Sequence, residues 1–172
     1  MPYIIDGNNL AGKFDILFED SFCERLIRIL KKFNKRRKRN IILVFDSLEP
    51  MGDKEKIDKY LTVIYAPRDN FYKSADDKIV ELVERNIKNK ENVILVTDDL
   101  EIINIIKEIK TNIDIRIIKA SDFVKKIREN ISVNFALDKV GQNAIQGRWG
   151  EDLNKEDIKK INDELLRLWG EN

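Results

Sequence analysis

The segment that decides the fold class is residues 93–99, which read VILVTDD. Its four apolar residues lack polar alternation, which is typical of a strand buried on both faces of a parallel sheet. Helical patterns flank it at 75–88 and 100–110. Similar apolar runs occur at Tyr3–Ile5, Ile41–Phe45, Leu61–Tyr65 and Ile115–Ile118, and further helices are expected from Ser21 to about Lys38 and after Ser121. Strands that alternate with helices predict an α/β fold with a parallel sheet of about five strands, flanked by helices.

Composition narrows the chemistry available to this chain of 172 residues. It contains no histidine, so the commonest general base and the usual partner of serine or cysteine nucleophiles is missing. One cysteine excludes an internal disulfide and, without histidine, the usual zinc-ligand spacings. Hydrolysis would therefore require carboxylates, lysine or a metal ion. The net charge of +1 gives no global attraction for nucleic acid, so such binding would depend on a local patch.

The sequence also bears on location. No stretch approaches the roughly 20 apolar residues that span a bilayer, and the amino-terminal residues enter a strand-like segment where a signal peptide would have a long apolar run. The lack of cysteine pairs fits a reducing compartment. We therefore expect a cytoplasmic protein without a membrane partner.

Aspartates follow three of the predicted strands and open one of the helices. They are Asp6 after the first strand, Asp46 after the second, Asp76 and Asp77 in the helix that begins at residue 75, and Asp98 and Asp99 after the fourth strand. In open parallel sheets the carboxyl ends of the strands meet at one edge, where ligands bind. Crowding ionised carboxylates there costs free energy unless a cation is shared among them. Because Mg²⁺ and Mn²⁺ prefer oxygen ligands, the pattern predicts a site for a hard divalent metal.

Each aspartate also has a purely structural interpretation. Asp6 can belong to a turn, Asp77 suits the first turn of a helix, and Asp98 or Asp99 can be a helix N-cap. Taken together the structural interpretation weakens, because Asp46 follows a strand with no helix of its own to cap immediately, and one helix start cannot use both Asp98 and Asp99 as its cap. The group therefore favours metal binding.

The order of these short motifs resembles the NYN branch of the PIN-like nucleases, and specifically the YacP-like proteins. The matching pieces are IIDGNN at residues 4–9, VFD at 44–46, SADD at 74–77 and VTDD at 96–99. The resemblance implies a Rossmann-like PIN/NYN nuclease domain at residues 1–130. It also implies a metal-dependent endoribonuclease, with ribosome-associated RNA as the substrate in some members. Residues 131–172 lie beyond it, and their pattern predicts a C-terminal extension with one amphipathic helix.

The resemblance further implies the roles of individual residues. The catalytic set is Asp6, Asp46, Asp76, Asp99, Asn9 and Thr97, and its four aspartates would bind Mg²⁺ or Mn²⁺. Asn9 matches the amide that closes the first motif, where it would orient a carboxylate or a water. Asp98 occupies a variable position and Asp77 one where a second acid is common, so both are expected to support the ligands rather than to bind the metal.

Two segments carry candidate RNA-binding residues. They are Arg68, Tyr72 and Lys73 in the loop before residue 75, and Lys35, Arg36 and Arg37 in the basic run at 31–39. The loop adjoins the predicted metal site, where a ring and cations would bind a base and a phosphate. The basic run precedes a strand, which places it at the opposite edge of the sheet, and a helix C-terminus also favours cations there. Residues 47–59 are expected to form a mobile lid near Asp46.

The sequence therefore indicates an endoribonuclease in which Asp6, Asp76 and Asp99 hold the principal ion. Asp46 would complete the shell or orient the attacking water, leaving a 5′-phosphate and a 3′-hydroxyl. One alternative is a non-catalytic RNA-binding or ribosome-associated module with the same fold. Another is a phosphorylation-dependent receiver domain, although its paired acids would follow the first strand rather than the fourth.

Overall fold

The computed structural model describes residues 1–47, 52–67 and 74–131. Contacts divide the chain into two units, Met1–Val124 and Lys125–Asn172. The first unit contains, in chain order, β1 (Tyr3–Asp6), α1 (Gly7–Lys13), α2 (Phe22–Asn34), β2 (Ile41–Asp46), β3 (Asp53–Lys56), β4 (Leu61–Ala66), α3 (Ala75–Lys88), β5 (Val93–Val96), α4 (Leu100–Glu108) and β6 (Ile115–Ile118). Residues 120–131 are also helical and are named α5.

The strands form one sheet in the order β3-β4-β2-β1-β5-β6. Five strands run parallel, and β3 pairs antiparallel with β4 at one edge. The chain order reverses at β1, which has β2 on one side and β5 on the other. In open α/β sheets ligands bind outside the carboxyl ends of the strands at such a reversal. The predicted α/β fold, with a mostly parallel sheet flanked by helices, is confirmed.

The core explains why the strands read as unbroken apolar runs. Ile4 of β1, Val44 of β2 and Leu95 of β5 are fully buried, and they belong to one cluster with Leu82 of α3 and Ile102 of α4. Because strands in the middle of a covered sheet are buried on both faces, they need no polar alternation. This packing fixes the carboxyl ends of β1, β2 and β5 beside one another.

Three elements differ from the sequence-based prediction. Helix α1 follows β1 directly, where no helix was predicted. β3 occupies part of the predicted lid at 47–59, and residues 48–51 of that lid lie outside the described residues. All four residues of β3 are exposed, so backbone pairing with β4 rather than apolar burial holds this strand.

Helix α2 ends at Asn34 rather than near Lys38. The Asn34 side chain donates to the carbonyl of Arg39 at 2.8 Å and accepts from its N–H at 3.0 Å. Lys38 adopts a left-handed backbone with φ of 49°. These bonds replace further helical turns and direct the chain into β2.

The remaining predictions on architecture concern the carboxyl-terminal part of the chain. Residues 132–172, with the predicted amphipathic helix, lie outside the described residues. Among the residues that are described, no helix has the length and apolar character needed to cross a bilayer.

Candidate active site

Asp6 lies where β1 passes into α1. It is the N-cap of α1, with Oδ1 accepting from the N–H of Asn9 at 2.9 Å and Oδ2 accepting from the Thr97 hydroxyl at 3.0 Å. Only 5% of Asp6 is exposed, and Thr97 is fully buried. Because Thr97 follows β5, this bond joins the ends of two neighbouring strands. Asp6 is thus held by two donors on adjacent elements.

The electrostatics of Asp6 reflect this burial. The pKa of Asp6 is raised to about 6, mainly by burial, and the negative charges of Asp76 and Asp99 contribute to this rise. The hydrogen bonds from Asn9 and Thr97 oppose the shift because they favour the ionised carboxylate. Three of the predicted ligands therefore lie close enough to repel one another.

Asp46, at the end of β2, connects two helices. Its Oδ1 accepts from the N–H of Ala75, the first residue of α3, at 2.8 Å. Its Oδ2 accepts from the Asn8 side-chain amide at 3.0 Å. No helix directly follows Asp46, as the sequence indicated, but Asp46 binds the start of a helix 29 residues further along the chain.

Asn8 was not among the predicted site residues. Its Nδ2 donates to Asp46, and its Oδ1 is buried without a hydrogen-bond partner among the described residues. A buried carbonyl oxygen left in this state is costly, so it marks a place where a water or another donor would bind. The sequence signal was the first of the two asparagines in the IIDGNN motif at residues 4–9.

The three residues after β5 each have a separate function in the fold. Thr97 Oγ1 accepts from the N–H of Asp99 at 3.0 Å while donating to Asp6. Asp99 is the N-cap of α4, and its Oδ1 accepts from the N–H groups of two residues in the first turn. Asp98 accepts from the N–H of Ala120 at 3.1 Å and forms an ion pair with Lys13 at 3.3 Å.

Asn9 supports this turn through the main chain. Its Oδ1 accepts from the N–H of Asp98 at 3.0 Å, and the N–H of Asn9 itself donates to Asp6. The structure therefore places the Asn9 carboxamide on the backbone after β5, whereas a carboxylate or a water was predicted as its partner. Asn9 ties α1 to β5 and so sets the spacing between Asp6 and Asp99.

Asp76 and Asp77 lie in the first turn of α3, which Ser74 caps by accepting from the N–H of Asp76 at 3.2 Å. Burial raises the pKa of Asp76, and the nearby charges of Asp99, Asp46 and Asp77 add to the rise, while a hydrogen bond with Ser74 opposes it. Asp76 therefore faces the same acidic cluster as Asp6.

More of the aspartates stabilise helix starts than the sequence suggested. Asp6, Asp46, Asp98 and Asp99 each accept a hydrogen bond from the N–H of a residue in the first turn of a different helix. The positive ends of four helix dipoles therefore offset part of the repulsion that was expected to require a cation. Within residues 1–47, 52–67 and 74–131, no three acidic or cysteine side chains are arranged to hold one metal ion.

Replacing Asp46 tests how much of this arrangement is structural. Asp46→Ala should lower the free energy of unfolding by about 2 kcal/mol, because Ala75 and Asn8 both lose their acceptor. Asp46→Asn should cost less than about 1 kcal/mol, because Asn8 can turn its unpartnered oxygen toward the new amide. Urea unfolding in EDTA measures both, and equal losses in the two variants would contradict this assignment.

The predicted RNA-binding residues fall in two places. Arg68, Tyr72 and Lys73 lie outside the described residues. Lys35, Arg36 and Arg37 follow the end of α2 and precede β2, which places them toward the amino ends of the strands, away from the aspartates.

The fold and the site together define the class, a Rossmann-like α/β domain with aspartates clustered at the carboxyl ends of its parallel strands. The chain is similar in structure to a crystallised point mutant of Rae1 (YacP) from Bacillus subtilis. The TM-score is 0.62 at 17% sequence identity, and the match covers 98% of this chain and 92% of that chain. At this identity the likeness establishes the fold.

Family membership follows from the sequence. The model of the YacP-like NYN domain matches residues 3–164, and the chain therefore belongs to that family. The match continues past residue 130, where the resemblance was expected to end. NYN domains are part of a nuclease superfamily whose members generally use divalent metals. None of the curated proteins compared with this sequence matches it.

Proposed function

We propose that this protein is a metal-dependent endoribonuclease that hydrolyses RNA phosphodiester bonds at the carboxyl edge of its sheet, with Mg²⁺ or Mn²⁺ as cofactor. The observation that carries the proposal is the state of Asp6. The Asp6 carboxylate is buried, has a pKa of about 6 and is repelled by Asp76 and Asp99, so a nearby cation would stabilise its ionised form. Perturbed acids of this kind cluster at functional sites. Membership of a nuclease superfamily supports RNA as the substrate.

The donor chemistry fits a hard divalent cation. Asp6, Asp76 and Asp99 offer carboxylate oxygens, which Mg²⁺ and Mn²⁺ prefer. Asp99 uses Oδ1 for the α4 cap, so its Oδ2 accepts no hydrogen bond within the described part of the chain. Within the described residues, no three acidic side chains are arranged around one ion. We therefore expect metal binding to be accompanied by rearrangement of the Asp76 and Asp99 side chains.

Each residue then has a definable task. A bound divalent ion supplies an activated water at neutral pH and a positive charge against the developing charge on phosphate. Asn9 and Thr97 hold the Asp6 carboxylate in one orientation. Asp46 would hold α3, and with it Asp76, at the site, or orient the attacking water. The chain contains no histidine, and this mechanism needs no imidazole base. Hydrolysis by a water activated in this way would leave a 5′-phosphate and a 3′-hydroxyl.

Asp76→Asn gives the clearest test of catalysis, because its carboxylate accepts no helix-capping bond from the backbone among the described residues. We expect RNA cleavage in Mn²⁺ or Mg²⁺ to fall by about 100-fold or more, with little loss of stability, because a ligand to the activating charge is removed. EDTA should abolish wild-type cleavage.

The matched control is Asp114→Asn, a mostly exposed aspartate just before β6, at the opposite end of the sheet. It should cleave as the wild type does. Labelled RNA resolved on denaturing gels measures all three proteins. Cleavage that survives EDTA, or that Asp76→Asn leaves unchanged, would contradict the proposal.

A second candidate is a non-catalytic RNA-binding or ribosome-associated module with the same fold. The observation that favours it is the use of four aspartates as helix caps. Tight RNA binding without any cleavage product, in each metal tested, would favour this second candidate over the nuclease.

A further inference from the structure

A groove lies at the amino ends of the strands, at the opposite edge of the sheet from the aspartates. Its lining includes Pro2, Asn40 and Asn92, which precede β1, β2 and β5. From Asn40 to Asp46 the chain advances six residues (46 − 40 = 6), or about 20 Å at roughly 3.3 Å per residue. At Asn40 the groove is therefore remote from the candidate active site, and it extends along β3 as far as Lys54, opposite Ile64 of β4.

The groove concentrates positive charge. Among the described residues that line it, the cations are Lys38, Arg39, Lys54, Lys56, Lys59 and Arg85, and the one carboxylate is Glu91. All six cations are exposed, and none forms an ion pair with an acidic side chain of the described residues. The net charge of the whole chain is only +1, so the sequence total conceals this local field.

The lysines and the acids of β3 lie on opposite faces of the sheet. The sequence of this strand is DKEK, and side chains alternate between the two faces of a strand, so Lys54 and Lys56 share one face and the acids take the other. Lys54 pairs with Ile64 of β4, which packs in the core against α3. The lysines therefore lie on the α3 side of the sheet, where Arg85 also lines the groove.

We propose that this groove binds the phosphate backbone of RNA at a second site, so that the protein holds its substrate at both edges of the sheet. The choice of RNA as the polyanion rests on the proposed function. Exposed cations that lack an acidic partner lie at several points along the groove. This spacing suits the repeated phosphates of a nucleic-acid chain better than it suits a single small anion. The groove measures about 1070 Å³, above the range of roughly 300 to 1,000 Å³ for small-molecule pockets.

Binding in EDTA tests the groove independently of cleavage. Fluorescence anisotropy with a labelled single-stranded RNA is measured over a salt series. Lys54→Gln with Lys56→Gln removes two phosphate contacts and should reduce the slope of log K against log salt by about 1.4, from roughly 0.7 per contact. Lys107→Gln with Lys110→Gln removes the same charge from exposed positions outside the groove and should leave the slope unchanged.

If the salt slope falls equally in the two double variants, net charge alone attracts the RNA and the proposal is overturned. The proposal is also overturned if the slope falls in neither variant.

Cleavage assays separate this proposal from the nuclease assignment. The groove variant should raise KM for a long RNA without changing kcat, and should cleave a trinucleotide as the wild type does. If no protein cleaves RNA but the groove variant alone binds more weakly, the groove stands and the nuclease assignment fails.

Discussion

Asp6→Asn is expected to stabilise the metal-free protein at neutral pH by about 2 kcal/mol while abolishing RNA cleavage. The pKa of Asp6 is about 6 in the fold against a model value of 3.8, a difference of about 2 units. At about 1.4 kcal/mol per unit, keeping this buried carboxylate ionised costs about 3 kcal/mol. Asparagine has no charge to desolvate, and its oxygen can still accept from the N–H of Asn9. Its NH2 group cannot accept from the Thr97 hydroxyl, and the loss of that hydrogen bond offsets about 1 kcal/mol of the gain.

The sign of the pH dependence follows from the direction of this shift. Because the folded pKa lies above the unfolded one, the fold binds the proton more tightly than the unfolded chain does. The favourable contribution of Asp6 is full below about pH 3.8 and is lost as the pH rises through about 6. The stability difference between Asp6→Asn and the wild type should therefore grow by about 2 to 3 kcal/mol from pH 4 to pH 7.

Urea unfolding at each pH in EDTA measures this difference, with the mostly exposed Asp114→Asn measured alongside as the control variant. Adding Mn²⁺ should reverse the ranking. A ligand at 1,000 times its Kd stabilises the protein that binds it by about 4.1 kcal/mol, which exceeds the advantage of the variant, and the variant lacks one of the residues that would bind the ion. A difference that stays flat between pH 4 and pH 7 would show that Asp6 titrates as an ordinary exposed aspartate.

The strands could be predicted from the sequence because each is fixed by its own residues. Val93–Val96 and the other parallel strands are apolar on both faces, and that requirement is visible locally. β3 could not be predicted in this way, because its four charged residues bury nothing and its pairing with β4 depends on a partner strand. Helix α1 was missed for a similar reason. Its GNNLAGK sequence has weak helix propensity, and the Asp6 cap initiates it.

The site, like the fold, could be predicted only in part from the sequence. The sequence identified the aspartates and their common edge, because the ends of parallel strands converge whatever the loops do. It could not show that Asp46 caps α3 or that Asp98 caps α5, since these partners lie 29 and 22 residues away. Repulsion among the aspartates is only part of the electrostatic balance, because helix dipoles that only the folded chain brings to the site offset some of it.

Gly7→Ala should lower the free energy of unfolding by about 2 to 3 kcal/mol, although alanine is the better helix former. A Cβ at position 7 would lie 2.5 Å from two ring atoms of Phe45 and 2.7 Å from the carbonyl oxygen of Val44. Val44 is held in the sheet by β1 and β4 on its two sides, so its backbone cannot yield cheaply. Overpacking of this kind typically costs about 1 to 3 kcal/mol.

Gly12→Ala is the matched control in the same helix. Its added Cβ would meet only the Leu17 side chain at 3.9 Å, an ordinary contact, so the variant should gain up to about 1 kcal/mol from helix propensity. Urea unfolding of both variants measures the contrast. Because Gly7 lies between Asp6 and Asn8, forcing α1 away from β2 would also lengthen the Asn8 bond to Asp46. Gly7→Ala should therefore lose cleavage as well as stability, and a variant with full stability would contradict the close packing of α1 on β2.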